Sequence, residues 1–207
     1  MRTPLPPALI LAGGRSSRMG SDKLLVPFGR GTLLTYIIDR LEPQVSSIAV
    51  NAPASVALPE DLRLLPDTVP GQVGPLAGVL AGLKDLADHQ PDATHLLTVP
   101  VDAPFFPRNL ASTLQEVVSG TDTIAVASSD GRTHPVFGLW PVSVADDLRS
   151  WLAQPENPRM SDFLARHRSI AVQWELIDTE LGPQDPFMNL NTPADLESAR
   201  RFLEAAA

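Results

Sequence analysis

Cysteine is missing from this chain of 207 residues. With it go disulfide frameworks, thiolate nucleophiles and cysteine metal sites, which makes a disulfide-stapled secreted scaffold untenable. Positive charge is scarce as well: 16 Lys and Arg face 24 Asp and Glu, for a formal net charge of −8, and this argues against general nucleic-acid binding. Only two lysines occur, Lys23 and Lys84. Long apolar runs are lacking too. The one after Pro7 extends about five residues before Gly13, too short for a signal-peptide core or a membrane span, so the cytoplasm is the expected location. His89, His95 and His167 show no metal-ligand spacing, and His134, next to Pro135, reads as a loop histidine. Apolar residues make up 43% of the chain, enough for a sizeable core, and the length fits a single domain over 1–207.

Against the acidic whole, residues 1–30 carry five basic side chains and one acidic one. They concentrate around Leu9–Lys23, which reads Leu-Ile-Leu-Ala-Gly-Gly-Arg-Ser-Ser-Arg-Met-Gly-Ser-Asp-Lys. Leu9, Ile10 and Leu11 suit a buried strand, and Gly13 and Gly14 then permit a tight turn whose N–H groups converge. Such a nest binds anions, and Arg15, Arg18 and Lys23 beside it suit a polyphosphate. A solvated basic face after an ordinary glycine turn is the alternative. No Lys-Ser or Lys-Thr follows a glycine as in a P-loop, and G-x-G-x-x-G is absent, so the expectation is a nucleotide triphosphate site of another kind.

Strand and helix alternate through the first 130 residues. Leu24–Phe28 reads as a short strand, Thr32 as the N-cap of a helix carrying Leu33, Leu34, Ile37, Ile38 and Leu41, and Ser46–Val50 and Arg63–Leu65 as further strands. A helix follows Gly71–Gly78, a buried strand spans Thr94–Val99, a helix starting at Pro107 reaches about Val118, and Thr123–Ala127 is extended. Beyond it lie a turn at Asp130-Gly131, a strand at Pro135–Leu139, helices near Val142–Leu152 and Ser161–His167, an extended Ile170–Leu176 and a proline-rich loop over Gly182–Asn191. Thr192-Pro193-Ala194-Asp195 opens the last helix. The pattern predicts a mostly parallel α/β sheet covered on both faces.

Ligands of such sheets bind beyond the carboxyl ends of the strands, and Gly13, Asn51, Asp67 and Asp102 each follow a proposed strand. Asp102 suits Mg²⁺, which takes one or two carboxylates beside phosphate oxygens and waters; it also suits a plain turn before Ala103-Pro104. Asn51 offers donor and acceptor, Asp67 acceptors only. Both are candidates for reading a nucleoside or for ending a strand, and a carboxylate matches the adjacent N1–H and N2 amine donors of guanine.

The run Leu11–Lys23 resembles the signature of nucleotidyltransferases that share a glycosyltransferase-A-like fold. Asp22 stands before Lys23 where the sugar-phosphate enzymes usually have Pro, and the turn reads Leu-Ala-Gly-Gly instead of the Leu-Ala-Ala-Gly usual in the cytidylyl branch. The chain is thus most similar to the molybdenum cofactor guanylyltransferases. Gly74-Pro-Leu-Ala-Gly78, Val99-Pro-Val-Asp-Ala-Pro104, His134-Pro135 and Asn189-Leu-Asn-Thr-Pro-Ala-Asp-Leu196 resemble that family too, with Val101 where it often has Cys.

This resemblance implies a three-layer α/β/α, Rossmann-like fold with a mostly parallel mixed sheet. It implies transfer of GMP from GTP to molybdopterin bearing molybdenum, with Mg²⁺ on Asp102 and pyrophosphate leaving. Family nucleotide contacts carry over to Leu11, Ala12, Gly13, Lys23, Asn51, Asp67 and Asp102, with Gly14 joining through the nest. Arg15, Arg18, Lys23 and Asp102 are the expected catalytic groups. The loop of Asn189 and Asn191 is expected on the molybdopterin side, although helix capping also explains asparagines there. The nucleotide part is expected over about 8–105 and the acceptor part over about 106–207. The expected partners are GTP, the molybdopterin substrate and, transiently, proteins that donate or receive the cofactor. A cytidylyltransferase of the same fold, acting on molybdopterin or another small phosphate, and a non-catalytic cofactor-carrying adaptor are the alternatives; pyrophosphate release separates enzyme from adaptor.

Overall fold

The computed structural model describes residues 4–13, 23–69, 74–154 and 159–205. In chain order these form β1 (Ala8–Leu11), a hairpin of β2 (Pro27–Phe28) and β3 (Gly31–Thr32), α1 (Leu33–Leu41), β4 (Ile48–Asn51), β5 (Arg63–Leu64), α2 (Pro75–His89), β6 (His95–Pro100) and α3 (Leu110–Val117). Then come β7 (Ile124–Ser129), β8 (Arg132–Pro141), α4 (Ala145–Leu152), α5 (Met160–Leu164), β9 (Ser169–Trp174), β10 (Ile177–Thr179), β11 (Gly182–Gln184) and α6 (Pro193–Ala205).

Seven strands make the central sheet in the order β5-β4-β1-β6-β8-β7-β9. All neighbours run parallel except β8, which is antiparallel to both β6 and β7. The parallel core explains the unbroken apolar runs: every residue of β1 and of β6 is buried, as strands covered on both faces require. Alternation then sends successive side chains to opposite layers. Leu9 and Leu11 pack with Leu76, Leu80 and Leu83 of α2 on one face, and Ala8 and Ile10 pack with Ile37 and Leu41 of α1 and Leu114 of α3 on the other. A mostly parallel α/β/α sandwich results, as expected from the alternation of elements. Among the described residues no helix is long and apolar enough to cross a membrane.

Thr32 caps α1 as anticipated, through a reciprocal box in which Thr35 N–H donates to Thr32 Oγ1 at 3.2 Å and Thr32 N–H to Thr35 Oγ1 at 2.8 Å. Several boundaries differ from the sequence reading. The helix expected at Pro107 begins at Leu110, because α1 and the turn after it capture the preceding segment: Arg40 donates to the carbonyls of Phe105 and Phe106, and Gln44 Nε2 to that of Pro107. The strand expected over Leu24–Phe28 contracts to Pro27–Phe28, since the Leu24 and Val26 carbonyls instead accept from Leu34 and Leu33. Gly182–Gln184, expected in a loop, pairs with β10, and the turn is made by Gly182 at φ 104. His134 lies within β8, not in a loop.

His95 is 9% exposed and bonds Thr94 Oγ1 at 2.9 Å through Nδ1, while its Nε2 has no partner among the described residues. Burial pushes its pKa below the ordinary value of 6.5. The unfolded chain therefore binds this proton at higher pH than the folded one, so stability is complete above about pH 6.5 and declines as acid carries the protein toward the lower folded value. Denaturant midpoints should fall on acidification through that window. His95→Gln should flatten the slope, and His134, also lowered by burial, should sustain the remainder.

Candidate active site

The carboxyl ends of β1 and β6 open into a cleft of about 290 Å³, and its walls include Leu11, Ala12, Gly13, Lys23, Asp102 and Asn189. The ladder of the sheet continues into it. Ala12 N–H donates to the Asn51 carbonyl at 2.8 Å, and Val101 N–H to the Leu11 carbonyl at 3.0 Å. The backbone on either side of the cleft is thus held as firmly as the strands.

Lys23 Nζ meets Asp102 Oδ2 at 3.0 Å, with the side chains 10% and 25% exposed. A partly desolvated pair of this kind adds little net stability, because removing the charges from water offsets their attraction. Its significance is chemical. It places an ammonium and a carboxylate side by side in the cleft at the carboxyl ends of β1 and β6.

Asn51, 3% exposed, donates through Nδ2 to the Leu65 carbonyl and to Asp67 Oδ1, each at 2.9 Å. Both amide protons are therefore spent within the protein. What Asn51 does here is orient Asp67, whose carboxylate is exposed and accepts from Asn51 through Oδ1. The remaining Asn51 oxygen faces two glycines. A Cβ on Gly13 would come within 3.2 Å of it, and a Cβ on Gly78 would press against it and lie 2.7 Å from Leu11 Cδ2.

Opposite, Leu190 N–H donates to the Asp102 carbonyl at 2.6 Å, which brings Asn189 to the wall of the cleft. Asn191 behaves differently. It is exposed, and its N–H, with that of Thr192, goes to Asp195 Oδ2 at 2.9 and 2.8 Å, while Asp195 N–H returns to Thr192 Oγ1. The N–H groups of Asn191 and Thr192 hold the Asp195 carboxyl below its ordinary range. The capping of α6 thus occupies Asn191's backbone and leaves its side chain outside the cleft lining.

Val136 also lines the cleft, without any signal in the sequence. Ala127 pairs with His134 and Val126 with Gly138, so residues 135–137 bulge out of the ladder. Thr98 Oγ1 donates to the Val136 carbonyl at 2.9 Å and accepts from Trp140 Nε1 at 2.9 Å, which fixes the bulge from the buried side.

Of the expected residues, Leu11, Ala12, Gly13, Lys23, Asp102 and Asn189 come together in one cleft, Asn51 and Asp67 stand beside it, and Asn191 is turned away. Gly14, Arg15 and Arg18 lie outside the described residues. No group of three or more His, Asp or Glu able to cage a metal occurs among the described residues. The lone Asp102 carboxylate nevertheless fits an ion of the magnesium type, which needs only one or two protein carboxylates when phosphates and waters supply the rest.

The chain matches the MobA-like NTP transferase domain over residues 8–170. It is 52% identical over 200 residues to a molybdenum cofactor guanylyltransferase of Rhizobium rhizogenes, covering 96% of this chain and 93% of that protein. It is also 52% identical over 199 residues to one of Sinorhizobium fredii, covering 95% and 91%. Among solved structures it resembles molybdopterin-guanine dinucleotide biosynthesis protein A from Archaeoglobus fulgidus, with a TM-score of 0.71, 18% identity and coverage of 96% and 98%. A Mycobacterium tuberculosis protein solved in complex with manganese has a TM-score of 0.62, 16% identity and coverage of 97% and 100%.

Because Gly78 sits where a methyl group meets Asn51 and Leu11, Gly78→Ala should destabilise the fold by about 1–3 kcal/mol through overpacking, outweighing the roughly 1 kcal/mol that alanine gains in a helix. Chemical denaturation of the purified variant measures the balance; unchanged or increased stability would show that Asn51 and Leu11 shift freely.

Proposed function

The chain belongs to the MobA-like NTP transferase family and, within it, to the molybdenum cofactor guanylyltransferases, and from that premise we propose that it transfers GMP from GTP to the terminal phosphate of molybdopterin bearing molybdenum. An acceptor phosphate oxygen bonds to the α-phosphorus of GTP as the bond from that phosphorus to the β-phosphate bridge breaks, and pyrophosphate departs. The acceptor is already an anion, so no general base and no covalent enzyme intermediate are required. The observation that carries this reading is the Lys23–Asp102 pair in the cleft at the carboxyl ends of β1 and β6.

Positioning and charge stabilisation are the protein's tasks in such a displacement. Lys23 neutralises the triphosphate, together with Arg15 and Arg18, and the backbone at Ala12, Gly13 and Gly14 approaches it closely. Asp67, oriented by Asn51, reads the nucleoside. Asn189 serves the acceptor, and the nucleotide half is about 8–105 and the acceptor half about 106–207. Asp102 would hold Mg²⁺, which when bound neutralises charge on the phosphates. Such an enzyme works in the cytoplasm and meets cofactor-donating proteins and molybdoenzymes only transiently.

Lys23→Ala should lower turnover by more than about tenfold through loss of a transition-state charge contact, read as pyrophosphate release; a near-normal rate in the folded variant removes Lys23 from the mechanism. Asp102→Ala should abolish activity together with its Mg²⁺ dependence, and residual activity that still titrates with Mg²⁺ would move the metal elsewhere. Calorimetric titration should give strong preference for GTP over CTP and ATP, weakened in Asp67→Asn. Equal binding, or a preference for CTP, would overturn the nucleotide assignment.

A further inference from the structure

Outside the cleft, three polar side chains converge where β7, β8 and the segment after β11 meet. Ser129 Oγ, wholly buried, lies 2.7 Å from His134 Nε2 and 2.7 Å from Asp185 Oδ1. These are the residue types of a hydrolase triad without its wiring. Both partners meet at the hydroxyl, His134 Nε2 stays 3.8 Å from Asp185 Oδ2, and a serine with no exposed surface cannot reach a substrate. The proton order follows from the donor inventory. A carboxylate only accepts, so Ser129 donates to Asp185; its single proton is then used, and His134 Nε2–H must donate to Ser129. Burial lowers the pKa of His134, with Arg132 acting in the same direction and Asp185 against it, which favours the neutral ring, and the proton order puts its single proton on Nε2.

The cluster is tied to the acceptor side of the cleft. Asp185 Oδ1 also accepts the Phe187 N–H at 2.9 Å. Phe187, 2% exposed, packs against His134, Phe137 and Trp174 with ring centroids at 5.0, 4.8 and 5.4 Å. Two residues further on, Asn189 lines the cleft, and Leu190 N–H is bonded to the Asp102 carbonyl. Residues 185–190 are therefore fastened at one end by Asp185 and at the other by Asp102, with a buried aromatic ring between.

We propose that Ser129, His134 and Asp185 form a polar latch that holds the 185–190 segment in place and so determines how tightly the anionic acceptor binds, with Ser129 and Asp185 as positioning residues that never touch it. The proposal rests on the reading of the cleft as a GMP-transfer site. The latch enters the cleft through Asn189, the residue assigned to the acceptor, whereas the Asn51–Asp67 pair assigned to the nucleoside lies at the end of β4 and beyond that of β5.

Steady-state kinetics on the full chain test this with four variants. Ser129→Ala and Asp185→Ala should raise KM for the molybdopterin acceptor by about tenfold or more, as expected for losing a hydrogen bond to a charged group, with KM for GTP within about twofold of wild type. Asp185→Asn, which keeps the Oδ1 acceptor, and Ser129→Thr, which keeps the hydroxyl, should restore most of the acceptor KM. An unchanged acceptor KM, an equal rise for GTP, or no recovery in the conservative variants would overturn the latch. Amide hydrogen exchange decides independently of activity, so failure of the latch stays distinct from failure of the proposed reaction. Asp185→Asn should leave protection at Phe187 and Leu190 intact, and Ser129→Ala should lower it there but not in β1 or β6. Unaltered protection in Ser129→Ala overturns the latch even if GMP transfer is confirmed.

Discussion

The ladder that joins β1 to β4 on one side and to β6 on the other does not stop at the strand ends. Ala12 continues it onto the Asn51 carbonyl, and the Leu11 carbonyl continues it onto Val101. Every residue placed around the cleft depends on this. The parallel arrangement puts three strand ends at one edge, and the extra bonds carry that order into the segments where Gly13 and Asp102 sit, beside Asn51 at the end of β4. Parallel strands require crossover helices, and α1 and α2 bury opposite faces of β1 through alternate side chains. The site is therefore supported by both halves of the core.

Electrostatics divide the labour differently from packing. The chain is acidic overall, yet the cleft places Lys23 against Asp102, beside a strand whose residues are all buried. A localised cation attracts an anion without making the whole surface attractive to polyanions. Asn51 works within the protein: with both amide protons committed to Leu65 and Asp67, it orients that carboxylate.

The wall of the cleft beside β8 is built by another device. β8 runs against its neighbours, and the bulge at 135–137 lets Val136 enter the cleft while Phe137 stays in the core. Thr98, from a parallel strand, and Trp140, from the antiparallel one, together hold that bulge. Gly138 is needed beside it, because a Cβ there would lie 2.6 Å from Trp140 Nε1. The same irregular strand carries His134 to Ser129, so one departure from regular pairing shapes the cleft wall and also creates the buried polar cluster behind it.

Sequence alone carried the alternation of strands and helices, the continuous burial of Leu9–Leu11 and Leu96–Val99, the Thr32 cap and the placing of Gly13, Asn51, Asp67 and Asp102 at strand ends. All of these follow from local periodicity and turn chemistry. Family membership was legible in the same way, since the run Leu11–Lys23 is contiguous. Tertiary structure alone decided that Asn51 orients Asp67, that Arg40 and Gln44 capture the Phe105–Pro107 carbonyls and delay α3, that Val136 enters the cleft, and that Ser129 meets Asp185 across 56 residues. Such contacts depend on strand order, register and a bulge, which arise from pairing between distant segments and leave no periodic trace in either one.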